Sequence, residues 1–114
     1  MSDLWTDLAQ AKTLTGPIRV RIADEFGDRG KKALHAVDEG HVIQYRDFFV
    51  VTGSTGEYVV EEDFCTCSDF LFRKKECLHI LAVRISSLTG KFRADERWYQ
   101  DILREGRAGR KGTR

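Results

Sequence analysis

A chain of 114 residues with 19 Lys and Arg against 18 Asp and Glu carries a formal charge of +1. It has room for one modest core but not two, and no bulk charge to draw it onto nucleic acid or a membrane surface. No apolar run approaches the roughly 18 residues needed to span a bilayer, which excludes a transmembrane helix of the usual kind. In chain order, Ser2 is placed to cap a first helix running to about Lys12, with Leu4, Trp5, Leu8 and Ala11 at helical spacing. Thr15-Gly16-Pro17 punctuates the chain, and Pro17 suits the first helical position. Ile22, Phe26, Ala33 and Val37 then mark one apolar side of a helical stretch ending at Gly40. Gly27 and Gly30 each weaken a helix interior by about 1 kcal/mol relative to Ala, so this stretch is either one kinked helix or two short ones split near Gly27.

From His41 the pattern changes to strand. His41–Arg46, Phe48–Thr52 and Glu57–Glu61 are rich in β-branched and aromatic residues, and Gly53-Ser54-Thr55-Gly56 predicts a hairpin with a four-residue connection. The strands lead into Cys65, Cys67, Cys77 and His79, a C-x-C-x9-C-x-H array holding every cysteine of the chain. Two thiols at i and i+2 of an extended strand face the same way. Leu78 to about Ser87 reads as a buried helix ended by Gly90, which puts Cys77 at its N-terminus and His79 in its first turn. The free N–H groups and dipole there favour thiolate. Four N and S donors complete the tetrahedral shell of one structural Zn2+ and leave no position for substrate or activated water.

Two other readings compete with zinc. Three cysteines and a core histidine could be grouped by accident, which the paired spacing argues against. A redox pair would need C-x-x-C rather than C-x-C and would leave a cysteine over. A zinc-bound trio of thiolates and an imidazole carries a charge of about −1, and Arg73, Lys74 and Lys75, between the two ligand pairs, are placed to offset it. Structural zinc contributes on the order of 10 kcal/mol of apparent folding free energy, so the metal is expected to be a condition of folding for at least residues 57–90. Committing every thiol to metal, with no signal peptide, is expected of a soluble protein in a reducing cytoplasm.

Phe64-Cys65-Thr66-Cys67-Ser68-Asp69-Phe70 and Cys77-Leu78-His79-Ile80-Leu81-Ala82 resemble the SWIM zinc finger, CxC then CxH, over residues 57–90. Small stand-alone prokaryotic SWIM proteins are the most similar group, since they too place a helix and a hairpin before the finger. The resemblance implies DNA-binding or protein-binding roles, in some members beside RecA-like recombinase paralogues in homologous recombination. The expected architecture is α+β, with N-terminal helices, a small antiparallel sheet or hairpin, a ββα SWIM finger and a C-terminal helix. Its parts are a helical segment packed on the finger (1–40), strands and finger (41–90), the last helix (91–104) and a disordered basic tail (105–114).

Asp95–Leu103 accounts for that last helix through Trp98, Ile102 and Leu103, whereas residues after Arg104 bury too little to order alone. Two basic groups are candidate nucleic-acid contacts: Arg73, Lys74 and Lys75 with Phe70 and Phe72 interleaved, and Arg107, Arg110 and Lys111 in the tail. The competing readings are that Phe70 and Phe72 cover the zinc site and that the tail only solubilises. Trp5, Trp98 and Tyr99 are candidate anchors for a protein partner, or simply core. His35 reads as a helix-surface residue and His41 as a strand start. Glu61, Glu62 and Asp63 beside Cys65 invite a hydrolase reading that a filled metal shell disfavours. The expected function is a non-catalytic zinc module that binds DNA, as an accessory factor in recombination or another DNA transaction. The alternative is an adaptor that binds a protein, such as a RecA-like recombinase paralogue, and no DNA. No membrane partner is expected.

Overall fold

The computed structural model describes residues 3–53, 56–61, 64–73 and 76–99. Glu62, Asp63, Lys74, Lys75, the basic tail and residues 100–103 of the expected last helix lie outside them. The first helix, α1 (Leu4–Ala11), is capped by Asp3 rather than Ser2, which lies outside the described residues. The Asp3 carboxylate accepts the Thr6 N–H at 3.3 Å, the reach an N-cap side chain needs to satisfy a free helix-start donor. Thr15 caps α2 (Gly16–Phe26) in the same way through Ile18 N–H, with Pro17 in its opening turn.

Of the two forms open to residues 17–40, the chain takes two helices. Gly27, with φ +62°, ends α2 and starts α3 (Asp28–Asp38), a backbone conformation that glycine adopts without a Cβ penalty. Gly30 has a different use. A Cβ there would lie 2.5 Å from the Ile22 carbonyl oxygen and 3.1 Å from Phe26 Cβ, so α2 and α3 approach each other through a missing side chain.

Three antiparallel pairings join β1 (Val42–Gln44), β2 (Phe49–Gly53), β3 (Gly56–Glu61) and β4 (Phe64–Cys65). The β2–β3 ladder runs out to Gly53↔Gly56. The connection is therefore two residues long instead of four, because both glycines continue the ladder. After α5 (Leu78–Thr89), closed by Gly90 at φ +75° as expected, Arg93–Ala94 adds β5 beside β1 in parallel. The sheet is thus mixed, in the order β4-β3-β2-β1-β5. The expected last helix does not begin at Asp95: Asp95 N–H continues the β5 pairing by donating to Gln44 O, its carboxylate turns onto Arg97, and Tyr99, the last described residue, is the first in helical conformation.

One face of the sheet receives α5, which touches β1 to β4, with α3 packed alongside it and α1 and α2 farther out. Leu8, Ile22, Ala33, Val42, Val51, Val60, Ile80, Leu81 and Ile85 make the shared core. Val50 points the other way, by strand alternation, toward the face where buried Tyr99 stacks near Tyr45 and donates to Glu57. Tyr99 is therefore core. Trp5, half-buried, packs on Phe26 beneath the Arg84 guanidinium, while Trp98 stays 50% exposed.

Two substitutions test this packing in opposite directions. Gly30→Ala should lower stability by about 1–3 kcal/mol through overpacking, although Ala is the better helix former by about 1 kcal/mol. Ser86, in the middle of α5, is fully buried and its hydroxyl has no hydrogen-bond partner among the described residues. Ser86→Ala should raise stability by about 1 kcal/mol by removing an unpaired buried polar group. Urea unfolding of the zinc-loaded protein measures both.

Candidate metal centre

Three elements deliver the four expected ligands. Cys65 ends the short strand β4, fully buried at the edge of the sheet. Cys67 lies just past the strand rather than on it, because α4 (Ser68–Arg73) begins at once; its sulfur accepts Phe70 N–H at 3.4 Å and its carbonyl accepts Leu71 N–H. The second thiol therefore also serves as a helix cap, a role the strand reading did not foresee. Cys77 is the N-cap residue of α5, and His79 sits in its first turn, both as expected.

The Cys65, Cys67 and Cys77 sulfurs and a His79 ring nitrogen all lie within 4.8 Å of one another. His79 Nδ1 is 3.7 Å from Cys65 Sγ and 3.8 Å from Cys77 Sγ. Bonds of about 2.3 Å to sulfur and 2.0 Å to nitrogen place tetrahedral donors roughly 3.5–3.8 Å apart, and the two His79–sulfur separations fall in that range. The cysteines form no disulfide, and the donor set fits one structural zinc.

The protonation states among these groups show what the ion does. A hydrogen bond from Cys65 pulls the Cys77 thiol down to about 4, with a contact to His79 acting the same way. The same hydrogen bond, with burial, pushes the Cys65 thiol up, and burial does so for Cys67. Without a metal, the hydrogen bonds among the sulfurs favour ionisation at Cys77 and oppose it at Cys65 and Cys67. A divalent cation replaces the thiol protons and lets all three ionise.

The surroundings assign tasks to residues that the motif left open. Asp69, on α4, takes a bidentate pair from Arg29 of α3 at 2.9 and 3.0 Å and a third bond from Arg73 Nε at 3.2 Å; Arg29 beside it holds its carboxyl below the usual range. Arg29 also interacts with Cys77, so a cation 40 residues away from Asp69 in sequence shares the charge compensation expected from Arg73, Lys74 and Lys75. Among the described residues, Arg73 reaches the Asp69 carboxylate and the Glu76 carbonyl. Tyr58 stacks on the His79 ring at 4.4 Å, fixing the imidazole. Phe70 packs on the core and against Phe64, whereas Phe72 is 90% exposed, so only the first covers the site. Arg29 and Tyr58 were not legible as site residues because their partners are distant in sequence. Lys74, Lys75, Arg107, Arg110 and Lys111 lie outside the described residues. Glu61 is exposed on β3 and belongs to no ligand cluster.

A strand–turn–helix unit that closes three thiolates and an imidazole around one ion defines a structural zinc finger. Residues 49–86 match the SWIM zinc finger. An uncharacterized protein of Archaeoglobus fulgidus is 46% identical over 86 residues, covering 70% of this chain and 75% of the relative. No solved structure matches. The chain belongs to the SWIM zinc finger family. No helix among the described residues is long and apolar enough to cross a membrane.

Cys77→Ser should abolish stoichiometric zinc binding and lose helical circular dichroism, since it removes a ligand and the anchor of α5 together. A metal-free variant that still unfolds cooperatively with native helicity would show that zinc is dispensable. Cobalt substitution of the wild type should give the visible absorption of a tetrahedral site with thiolate charge transfer.

Proposed function

We propose that the protein is a non-catalytic adaptor that uses its zinc finger to dock a protein partner. The observation that carries this reading is the set of large apolar side chains left open on the finger itself, called the ridge below: Phe64 is 48% exposed, Leu71 51% and Phe72 90%. These three residues flank Phe70, whose contact with Phe64 ties β4 to α4. Exposed aromatic and aliphatic side chains on a rigid unit are the usual anchors of protein interfaces, and zinc supplies the rigidity. Arg73, on the same helix as Leu71 and Phe72, is paired with Asp69, as is Arg29 of α3. Four protein donors around the metal support the absence of catalysis. The partner class follows from the SWIM resemblance: a RecA-like recombinase paralogue, with the protein as an accessory factor in recombination.

A second reading keeps direct DNA contact. Phe72 precedes Arg73-Lys74-Lys75 in sequence, and an open ring beside cations is a stacking platform for single-stranded bases. The tail residues Arg107, Arg110 and Lys111 would add salt-sensitive phosphate contacts.

Phe72→Ala separates the readings. Docking on the ridge predicts a loss of about 2 kcal/mol in affinity for the recombinase paralogue, measured by calorimetry, with zinc content and melting unchanged. If partner affinity survives the substitution but affinity for labelled single-stranded DNA falls, the DNA reading replaces the adaptor. Truncation after Arg104 should then reduce the salt dependence of that DNA binding.

A further inference from the structure

The chain has three histidines, and all of them line one cleft of about 480 Å³ beside the metal centre, although only His79 belongs to the metal motif. Its remaining walls include Lys32 from α3, Thr52 and Tyr58 from the sheet, and Ser68 at the start of α4. The His35 and His41 rings meet edge to face with centroids 6.2 Å apart. Among the described residues, the Lys32 amine and these two imidazoles have no hydrogen-bond partner. They gather no third donor for a metal, since the four zinc ligands are the one ligand cluster found there.

The charge of the walls is one-sided. Asp69 is the sole carboxylate among the lining residues, and Arg29 and Arg73 occupy it. Arg29 also offsets the residual negative charge of the thiolates through Cys77. What faces the cleft is an ammonium, two imidazoles able to donate, and the Ser68 hydroxyl. Such a set suits a compact oxyanion with several acceptor oxygens, and the volume is in the range that holds a ligand of nucleotide size.

We infer that this cleft binds a phosphate monoester, with the phosphoryl group between Lys32, His35 and His41 and the remainder of the ligand lying toward Tyr58 and Ser68. The ligand is either a free nucleoside monophosphate or the phosphorylated end of a nucleic-acid strand. None of Phe64, Leu71 and Phe72 lines the cleft, so this site is independent of the docking ridge.

Calorimetry on the zinc-loaded full chain tests it with inorganic phosphate, a nucleoside 5′-monophosphate and the parent nucleoside. Phosphate and monophosphate should bind at one site and the nucleoside should not. Lys32→Ala, an exposed position, and His41→Gln should each weaken monophosphate binding about tenfold with zinc content unchanged, and Phe72→Ala should leave it intact. Equal affinity for 5′-phosphorylated oligonucleotide and monophosphate, with none for the 5′-hydroxyl oligonucleotide, would identify a strand end as the source. Binding of the free monophosphate alone would identify a small molecule. Absence of binding by both phosphate and monophosphate overturns the inference, as does affinity indifferent to both cleft substitutions.

Discussion

Four side chains from a sheet edge, a helix cap and the first turn of a second helix must meet at one ion, and this convergence fixes how the finger is joined. Cys65 is the last residue of β4, Cys67 caps α4, and Cys77 starts α5. The metal therefore locks the direction in which α5 leaves the sheet, and α5 is the helix that touches β1 to β4 and carries the core residues Ile80, Leu81 and Ile85. A structural zinc worth on the order of 10 kcal/mol is comparable to the whole net stability of a small domain, about 5–15 kcal/mol. In a core this small, coordination decides whether α5 is positioned at all.

The N-terminal helices are coupled to that centre by two short-range devices. Gly30 lets α3 settle against α2 at backbone distance, which brings Arg29 to the edge of the finger. Arg29 then holds Asp69 with two bonds. The Ser68-Asp69-Phe70 segment thus has a physical task for each of its later residues: Asp69 links the finger to α3, and Phe70 packs the start of α4 onto the core beside Phe64. An isolated surface ion pair contributes little. This one is bidentate, shared with Arg73, and placed where it also compensates thiolate charge.

Local signals carried the legible part of the fold. The metal ligands, the Gly27 break, the Gly90 stop, the buried α5 and the antiparallel strands all follow from spacing, backbone chemistry or periodicity within a few residues. What was not legible depends on long-range pairing. β5 is two residues long, and its sequence, Arg93-Ala94, has no strand character of its own; it forms because Ile43 and Gln44 offer a free edge. That pairing leads the chain through Asp95, where a helix was expected from the apolar spacing of Trp98, Ile102 and Leu103. Arg29 and Tyr58 look like ordinary helix and strand residues until the tertiary structure sets one beside Asp69 and the other on His79. The cleft is the clearest case: Lys32 and His35 share a face of α3 at i,i+3 spacing, but nothing local shows that His41, beyond the end of that helix, and the metal-site residues complete the same wall.

The closed metal shell shapes what the remaining surface is available to do. Because zinc orders the finger, Phe64, Leu71 and Phe72 are not required to fill the core, and a small domain can keep three large apolar side chains in solvent. Arg29 and Arg73 neutralise Asp69, and the cleft beside the same centre keeps the Lys32, His35 and His41 side chains without hydrogen-bond partners among the described residues. One ion thus supports two surfaces of different chemistry, apolar on the α4 side and cationic on the α3 side. Their separation means that a macromolecule could dock on the first without obstructing a phosphate on the second, and a change at either one leaves the metal centre intact.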